Sequence, residues 1–107
     1  MNAKTYLIYC FTFVWIVRKK KTMQIIKLLI ENERMYQGKI SEITGIKGGE
    51  LIRRINELKE YGLIDWEIED KFGGKKWIFL TPEGKEIAKH LIEIEKVMEK
   101  IEEKKEK

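Results

Sequence analysis

The sequence predicts a mainly α-helical domain with one small β-hairpin, an α+β fold that ends in a long helix. Three observations predict it. Apolar residues recur at helical spacing in four segments, two short strand-like segments flank Gly73-Gly74, and Thr81-Pro82-Glu83 combines an N-cap, a first-turn proline and an acid. A chain of 107 residues is expected to form one domain with a small core.

The first two predicted helices supply core residues. Residues 22–33 form a helix that is apolar except for one polar stripe. Its apolar residues are Met23, Ile25, Ile26, Leu28, Leu29 and Ile30. Residues 37–44 form the second helix, and Ile40 and Ile43, three positions apart, are its predicted buried face. Gly45 then provides a tight turn.

A third helix is predicted over about residues 48–61, with Gly62 as its C-cap glycine. Its buried face has apolar residues four and three apart: Leu51, Ile55 and Leu58. The opposite face carries Gly49, Arg53 and Asn56. The flanks carry Glu50, Ile52, Arg54 and Glu57. This helix therefore presents a polar face with two acids beside it.

The hairpin follows the third helix directly. Residues 63–69 alternate in polarity and predict a strand with one solvent-facing side, and residues 77–80 predict the return strand. Three lysines surround the glycine pair at the tip: Lys71, Lys75 and Lys76.

The last helix begins after Thr81 and carries a predicted dimerisation seam. Apolar residues repeat at four, three, four and three positions: Ile87, Leu91, Ile94, Met98 and Ile101. The first two are expected to pack partly on the protein's own first helix. We expect a homodimer through Leu91, Ile94, Met98 and Ile101. The charged tail from Glu102 is predicted to fray.

The third helix and the hairpin together favour nucleic-acid binding. Arginine is the usual bidentate partner of guanine, and asparagine that of adenine, in the major groove. Lysines on a hairpin suit phosphates. Each surface has a simpler interpretation, a solvated helix face or a turn that prefers Gly and Lys, and Glu50 and Glu57 oppose the approach of phosphate. The candidate DNA-binding residues are Lys47, Gly49, Arg53, Arg54, Asn56, Lys71, Lys75 and Lys76.

Residues 23–87 resemble the winged helix-turn-helix domains of archaeal and bacterial MarR/ArsR-type transcription regulators. Four segments carry the resemblance: residues 40–46, 51–58, 62–64 and 80–84. It implies a regulator of transcription whose third helix enters the major groove of double-stranded DNA, while the hairpin, or wing, holds the backbone. The chain departs from the family at residues 47–50, where Ser and Thr are usual. ArsR-type metal sensing is not implied, because the Cys and His ligands are missing.

The charge is distributed unevenly along the chain. Residues 1–21 hold five basic residues and no acid, so the rest of the chain has a net charge of −1 within the total of +4. A protein-interaction winged helix is therefore an alternative, and DNA binding must depend on where the charges lie. The charged fraction of 37%, rich in Lys and Glu, is typical of thermophile proteins. From it we hypothesise a thermophilic, archaeal source.

The apolar segment at residues 5–17 has three open interpretations. It is an extra packed element, a short membrane anchor that would make this a membrane-tethered regulator, or a product of a translation start placed too early. As a helix it would span about 20 Å, less than the hydrocarbon core of a bilayer. The predicted division is therefore residues 1–21, a winged helix over 22–86, and a dimerisation helix over 87–107.

Cysteine and histidine are too few for the common catalytic and metal sites. Cys10 and His90 are single, so the chain cannot form an internal disulfide or a four-ligand zinc site of Cys and His. We predict no enzyme activity, no catalytic residue, no cofactor and no metal, and we expect a cytoplasmic protein. The sequence does not indicate an effector ligand.

Overall fold

A computed structural model of the chain describes residues 19–69 and 74–106. In chain order the elements are α1 (Lys20–Glu31), β1 (Met35–Tyr36), α2 (Gln37–Thr44), α3 (Gly48–Glu60), β2 (Ile64–Ile68), β3 (Lys76–Leu80) and α4 (Pro82–Glu106). The predicted α+β fold with a long final helix is confirmed. The predictions for residues 5–17 and for Lys71 lie outside the described residues.

One apolar core joins all four helices to the sheet. The α1 residues Met23, Ile25, Ile26 and Leu29 are buried, and so is the predicted α3 face. The other buried apolar residues come from every remaining element and its turns: Met35, Ile40, Ile46, Leu63, Ile64, Ile78, Leu80, Ala88 and Leu91. Burial of each large side chain contributes about 1.5–3 kcal/mol to the stability of the fold. Because α3 buries three such side chains, the core fixes the orientation of this helix.

The sheet has three antiparallel strands in the order β1-β3-β2. An extended backbone at Tyr36 was expected from the sequence, but its pairing with β3 was not. Met35 and Trp66 both lie opposite Ile78 in the register, so these three side chains share the inner face. Tyr36 and Glu67 both lie opposite Trp77, on the outer face. A two-residue strand carries no detectable alternation, since it offers only one residue to each face.

Gly45 makes the turn between α2 and α3, as predicted. It has a φ of 77°, in the left-handed region, and its N–H donates to the Ser41 carbonyl oxygen at 2.8 Å. The Thr44 hydroxyl accepts from the Ile46 N–H at 3.2 Å, and the Ser41 hydroxyl donates to the Ile46 carbonyl oxygen at 2.7 Å. These bonds fix the angle between the two helices.

The start of α4 matches the prediction, and the helix runs to near the C-terminus. The Thr81 hydroxyl accepts from the Gly84 N–H at 2.9 Å, as an N-cap does. The helix continues to Glu106, past the point where fraying was predicted, and it packs beside α1, where Lys27 forms an ion pair with Glu95. The predicted division between residues 86 and 87 falls inside this helix. Within the described residues, no helix is long and apolar enough to cross a membrane.

Two details of the helical predictions are wrong. Helix α1 ends at Glu31 rather than Glu33, because the Asn32 backbone is extended and its side-chain amide donates to the Leu28 carbonyl oxygen at 2.9 Å. Ile43 is 51% exposed rather than buried. It lies in a shallow groove between α1 and α2, beside Leu28, because α1 covers only part of the short second helix.

Candidate nucleic-acid interface

The outward face of α3 carries the predicted polar residues. Gly49, Arg53 and Asn56 are all exposed. Among the described residues, neither Arg53 nor Asn56 makes a side-chain hydrogen bond or an ion pair within the protein. Their donors and acceptors are therefore available to an external ligand, in the combination that pairs with guanine and adenine.

Arg54 does not share this face. Its guanidinium donates to the Thr22 hydroxyl at 2.7 Å and to a Glu50 carboxylate oxygen at 3.0 Å, and its side chain is only 14% exposed. Thr22 is itself buried in α1. Arg54 thus ties the start of α1 to α3, a role that helical periodicity cannot reveal because it depends on where α1 lies.

The two acids beside the face are both neutralised by α1 and its N-cap. The Lys21 Nζ lies 3.2 Å from the Glu50 Oε1, and the Lys19 Nζ lies 3.7 Å from the Glu57 Oε1. Hydrogen bonds from Arg54 and then from Lys21 hold the pKa of Glu50 below its usual range. The sequence analysis expected Glu50 and Glu57 to oppose phosphate, but ion pairs with these cations reduce that repulsion.

The N-terminus of α3 is open to solvent. The backbone of Gly48 has a φ of 59°, and a Cβ built on Gly49 would meet nothing within 4 Å. No side chain caps this end of the helix, and Lys47 precedes it with an exposed side chain. Uncapped N–H groups beside a lysine can bind an anion by donating hydrogen bonds to it.

The structure separates the described wing lysines. The Lys76 Nζ lies 3.5 Å from the centroid of the Trp66 ring, on the side of the sheet that faces α3. The Lys75 Nζ lies 4.0 Å from the centroid of the Tyr36 ring, on the outer face. Only Lys76 is directed towards α3.

Two residues next to this surface, Lys59 and Trp66, were missed as candidates. The Lys59 Nζ, in the last turn of α3, lies 3.9 Å from the centroid of the Trp66 ring. Their signal in the sequence was weak, since a lysine in the last helical turn and a tryptophan in a strand are ordinary.

The comparisons with known proteins identify the fold. A family model described as winged helix-turn-helix DNA-binding matches residues 18–65. Residues 18–65 are therefore similar to winged helix-turn-helix DNA-binding domains. Among curated proteins, no sequence matches this chain.

Solved structures of transcription regulators share the winged-helix fold. A transcriptional regulator homologue from Pyrococcus horikoshii OT3 superposes with a TM-score of 0.67 at 18% identity, covering 75% of this chain and 81% of that one. A MarR-family regulator from Silicibacter pomeroyi superposes with a TM-score of 0.64 at 18% identity, covering 89% of this chain and 70% of that one. The PcaV regulator from Streptomyces coelicolor gives 0.62 at 20%, covering 66% of this chain and 52% of that one, about half of its length. The predicted MarR-like fold is therefore confirmed.

Beyond the winged helix, α4 has two apolar stripes rather than the predicted single seam. Leu91 is 2% exposed in the core, and Met98 packs against that core. The exposed stripe instead holds Ile94, Val97 and Ile101, which are 41%, 55% and 50% exposed. Because one side of α4 packs against α1, residues of the predicted seam lie on two different sides of the helix. Val97, which the sequence analysis missed, lies on the exposed side.

Proposed function

We propose that this winged-helix protein regulates transcription by binding double-stranded DNA as a homodimer. Helix α3 enters the major groove, and Arg53 and Asn56 contact base edges. Lys47 and the backbone at Gly49 hold a phosphate at the start of α3. Lys71, Lys75 and Lys76 of the wing follow the DNA backbone, and Arg54 positions α3 from inside the domain.

The observation that carries this proposal is the division of charge around α3. Glu50 and Glu57 are paired with Lys21 and Lys19, whereas Arg53 on the adjacent face has no ion pair among the described residues. The local surface is therefore cationic, because Lys19 and Lys21 come from the basic segment before residues 22–107, whose own net charge is −1. Placement of the charges, rather than their total, supports a DNA partner over a protein partner.

The exposed stripe on α4 supports the homodimer. Three branched apolar side chains lie on one side of a 25-residue helix with no covering element among the described residues. Pairing of two such helices would remove this surface from water. A two-fold dimer would present two α3 helices to DNA, with half-sites about one helical turn apart.

Selection from a pool of random duplexes tests this proposal. We expect the full-length chain to enrich a palindromic site whose half-sites contain guanine and adenine at the positions contacted by Arg53 and Asn56. The Arg53→Ala variant should enrich a site with relaxed preference at one position in each half. Recovery of no shared sequence by the unaltered protein would exclude sequence-specific regulation.

A further inference from the structure

A cluster of two lysines and one tryptophan lies where the end of α3 meets the wing. The ammonium nitrogens of Lys59 and Lys76 lie 3.9 and 3.5 Å from the centroid of the same Trp66 ring. They are therefore at most about 7.4 Å apart. Two like charges at this separation repel each other, although the negative face of the ring attracts each of them.

Three elements hold this cluster in place. The Trp66 ring is half-buried against the core, on the inner face of the sheet. Asp65 accepts from the Lys59 Nζ at 2.7 Å and from the Trp66 backbone N–H at 2.8 Å. The bond from Lys59, and then that from the backbone, keep the pKa of Asp65 below its usual range. Asp65 pairs with Lys59, one of the two lysines, so the cluster keeps a net positive charge.

The cluster lies beside the proposed DNA-binding face of α3. Lys59 follows Asn56 by three positions, so it lies about one turn further along the same side of the helix. Lys76 pairs with Ile68 across the wing, and both side chains extend from the face of the sheet that carries Trp66. The two lysines therefore flank the space between α3 and the wing.

We propose that Lys59 and Lys76 form a site for backbone phosphates of the DNA strand that passes between α3 and the wing. The Trp66 ring is a positioning element that holds both ammonium groups towards this strand. Phosphate oxygens would accept hydrogen bonds from the ammonium groups and offset their mutual repulsion. This site rests on the proposed function, and it adds Lys59 and Trp66 to the predicted set.

The test is the salt dependence of DNA binding by two variants with equal loss of charge. Lys59→Gln/Lys76→Gln removes the site, and Lys89→Gln/Lys96→Gln removes two exposed lysines of α4. On a random-sequence duplex, each lost phosphate contact should lower the slope of log affinity against log salt by about 0.9. The affinity lost between 50 and 200 mM salt should then be about 12-fold smaller in the first variant for each subunit that contacts the duplex. The α4 variant should keep the slope of the unaltered protein.

The outcomes distinguish a failure of the phosphate site from a failure of the proposed function. Equal slopes for the two variants and the unaltered protein, with binding still weakened by Arg53→Ala, would overturn the phosphate site alone. Absence of binding by the unaltered protein would overturn the proposed function and the site with it. Trp66→Leu keeps the charge, so weaker binding at unchanged helicity by circular dichroism would support its positioning role, and unchanged affinity would remove it from the site.

Discussion

At the scale of single residues, two adjacent arginines have different surroundings. Arg53 extends into solvent, whereas Arg54 is bonded to Thr22 and Glu50 inside the domain. Helical spacing placed Arg54 on a flank of α3, but only the position of α1 shows what that flank touches. The pair therefore separates a residue that is proposed to bind DNA from one that ties α1 to α3.

We predict that Arg54→Ala lowers the free energy of unfolding by about 1–3 kcal/mol, because the buried Thr22 hydroxyl loses a partner and Glu50 loses a charged donor. Arg53→Ala should change it by less than about 0.5 kcal/mol, since its side chain is exposed. Urea denaturation followed by circular dichroism measures both. Equal stabilities of the two variants would show that the Arg54 bonds contribute nothing.

Acid should weaken the contact between α1 and α3 through Glu50. Its lowered pKa means that the contribution of its ion pairs is fully present above the ordinary pKa of a glutamate, and is lost as the pH falls through the lower pKa of the folded state. The stability difference between the unaltered protein and Glu50→Gln should therefore shrink between about pH 5 and pH 3. Urea denaturation across this range is the measurement, and a difference independent of pH would contradict it.

At the scale of elements, α4 meets the turn after α3 at Gly84. A Cβ at this position would lie 1.9 Å from the Leu63 carbonyl oxygen, a backbone atom that cannot rotate away. The glycine therefore permits α4 to start directly against the chain that leads into the wing.

We predict that Gly84→Ala lowers the free energy of unfolding by about 2–3 kcal/mol, because the helix must move away from this turn. The matched control is Gly49→Ala, where the added methyl group meets nothing and alanine favours the helix. Denaturant midpoints of the two variants measure the contrast. A Gly84→Ala protein as stable as the control would show that α4 shifts without cost.

Periodicity predicted the elements but not the contacts between them. The Leu51, Ile55 and Leu58 spacing identified the buried face of α3, and Thr81 and Pro82 located the start of α4, because these signals are local. Strand β1 is too short to show a pattern. The clustering of Lys59, Lys76 and Trp66 brings distant parts of the sequence together, so no local pattern predicts it.

At the scale of the whole molecule, the proposed function requires two surfaces: the α4 stripe, which is proposed to pair subunits, and the α3 face, which is proposed to contact DNA. The stripe is visible only once the packing of α4 on α1 is known, since the heptad spacing alone placed Leu91 at the seam. The exposed polar face of α3, by contrast, was predicted in large part by the spacing of residues in that helix.

The dimer should dissociate when charge enters the stripe. We predict that Val97→Glu, at a side chain that is 55% exposed, gives a monomer, because pairing would bury a carboxylate in an apolar seam. Lys96→Glu, on the other side of α4, should remain a dimer. Sedimentation velocity distinguishes the two, and an unchanged dimer of Val97→Glu would place the interface elsewhere.

The most direct test of DNA binding by the α3 face is fluorescence anisotropy of the full-length protein on a duplex recovered by selection. Binding is measured across a salt series and compared with that of Arg53→Ala. We expect affinity that falls steeply with salt, and an Arg53→Ala variant that binds more weakly by about 1–3 kcal/mol at unchanged stability. Affinity that is independent of salt, or equal in the variant, would contradict the assignment of the α3 face to DNA.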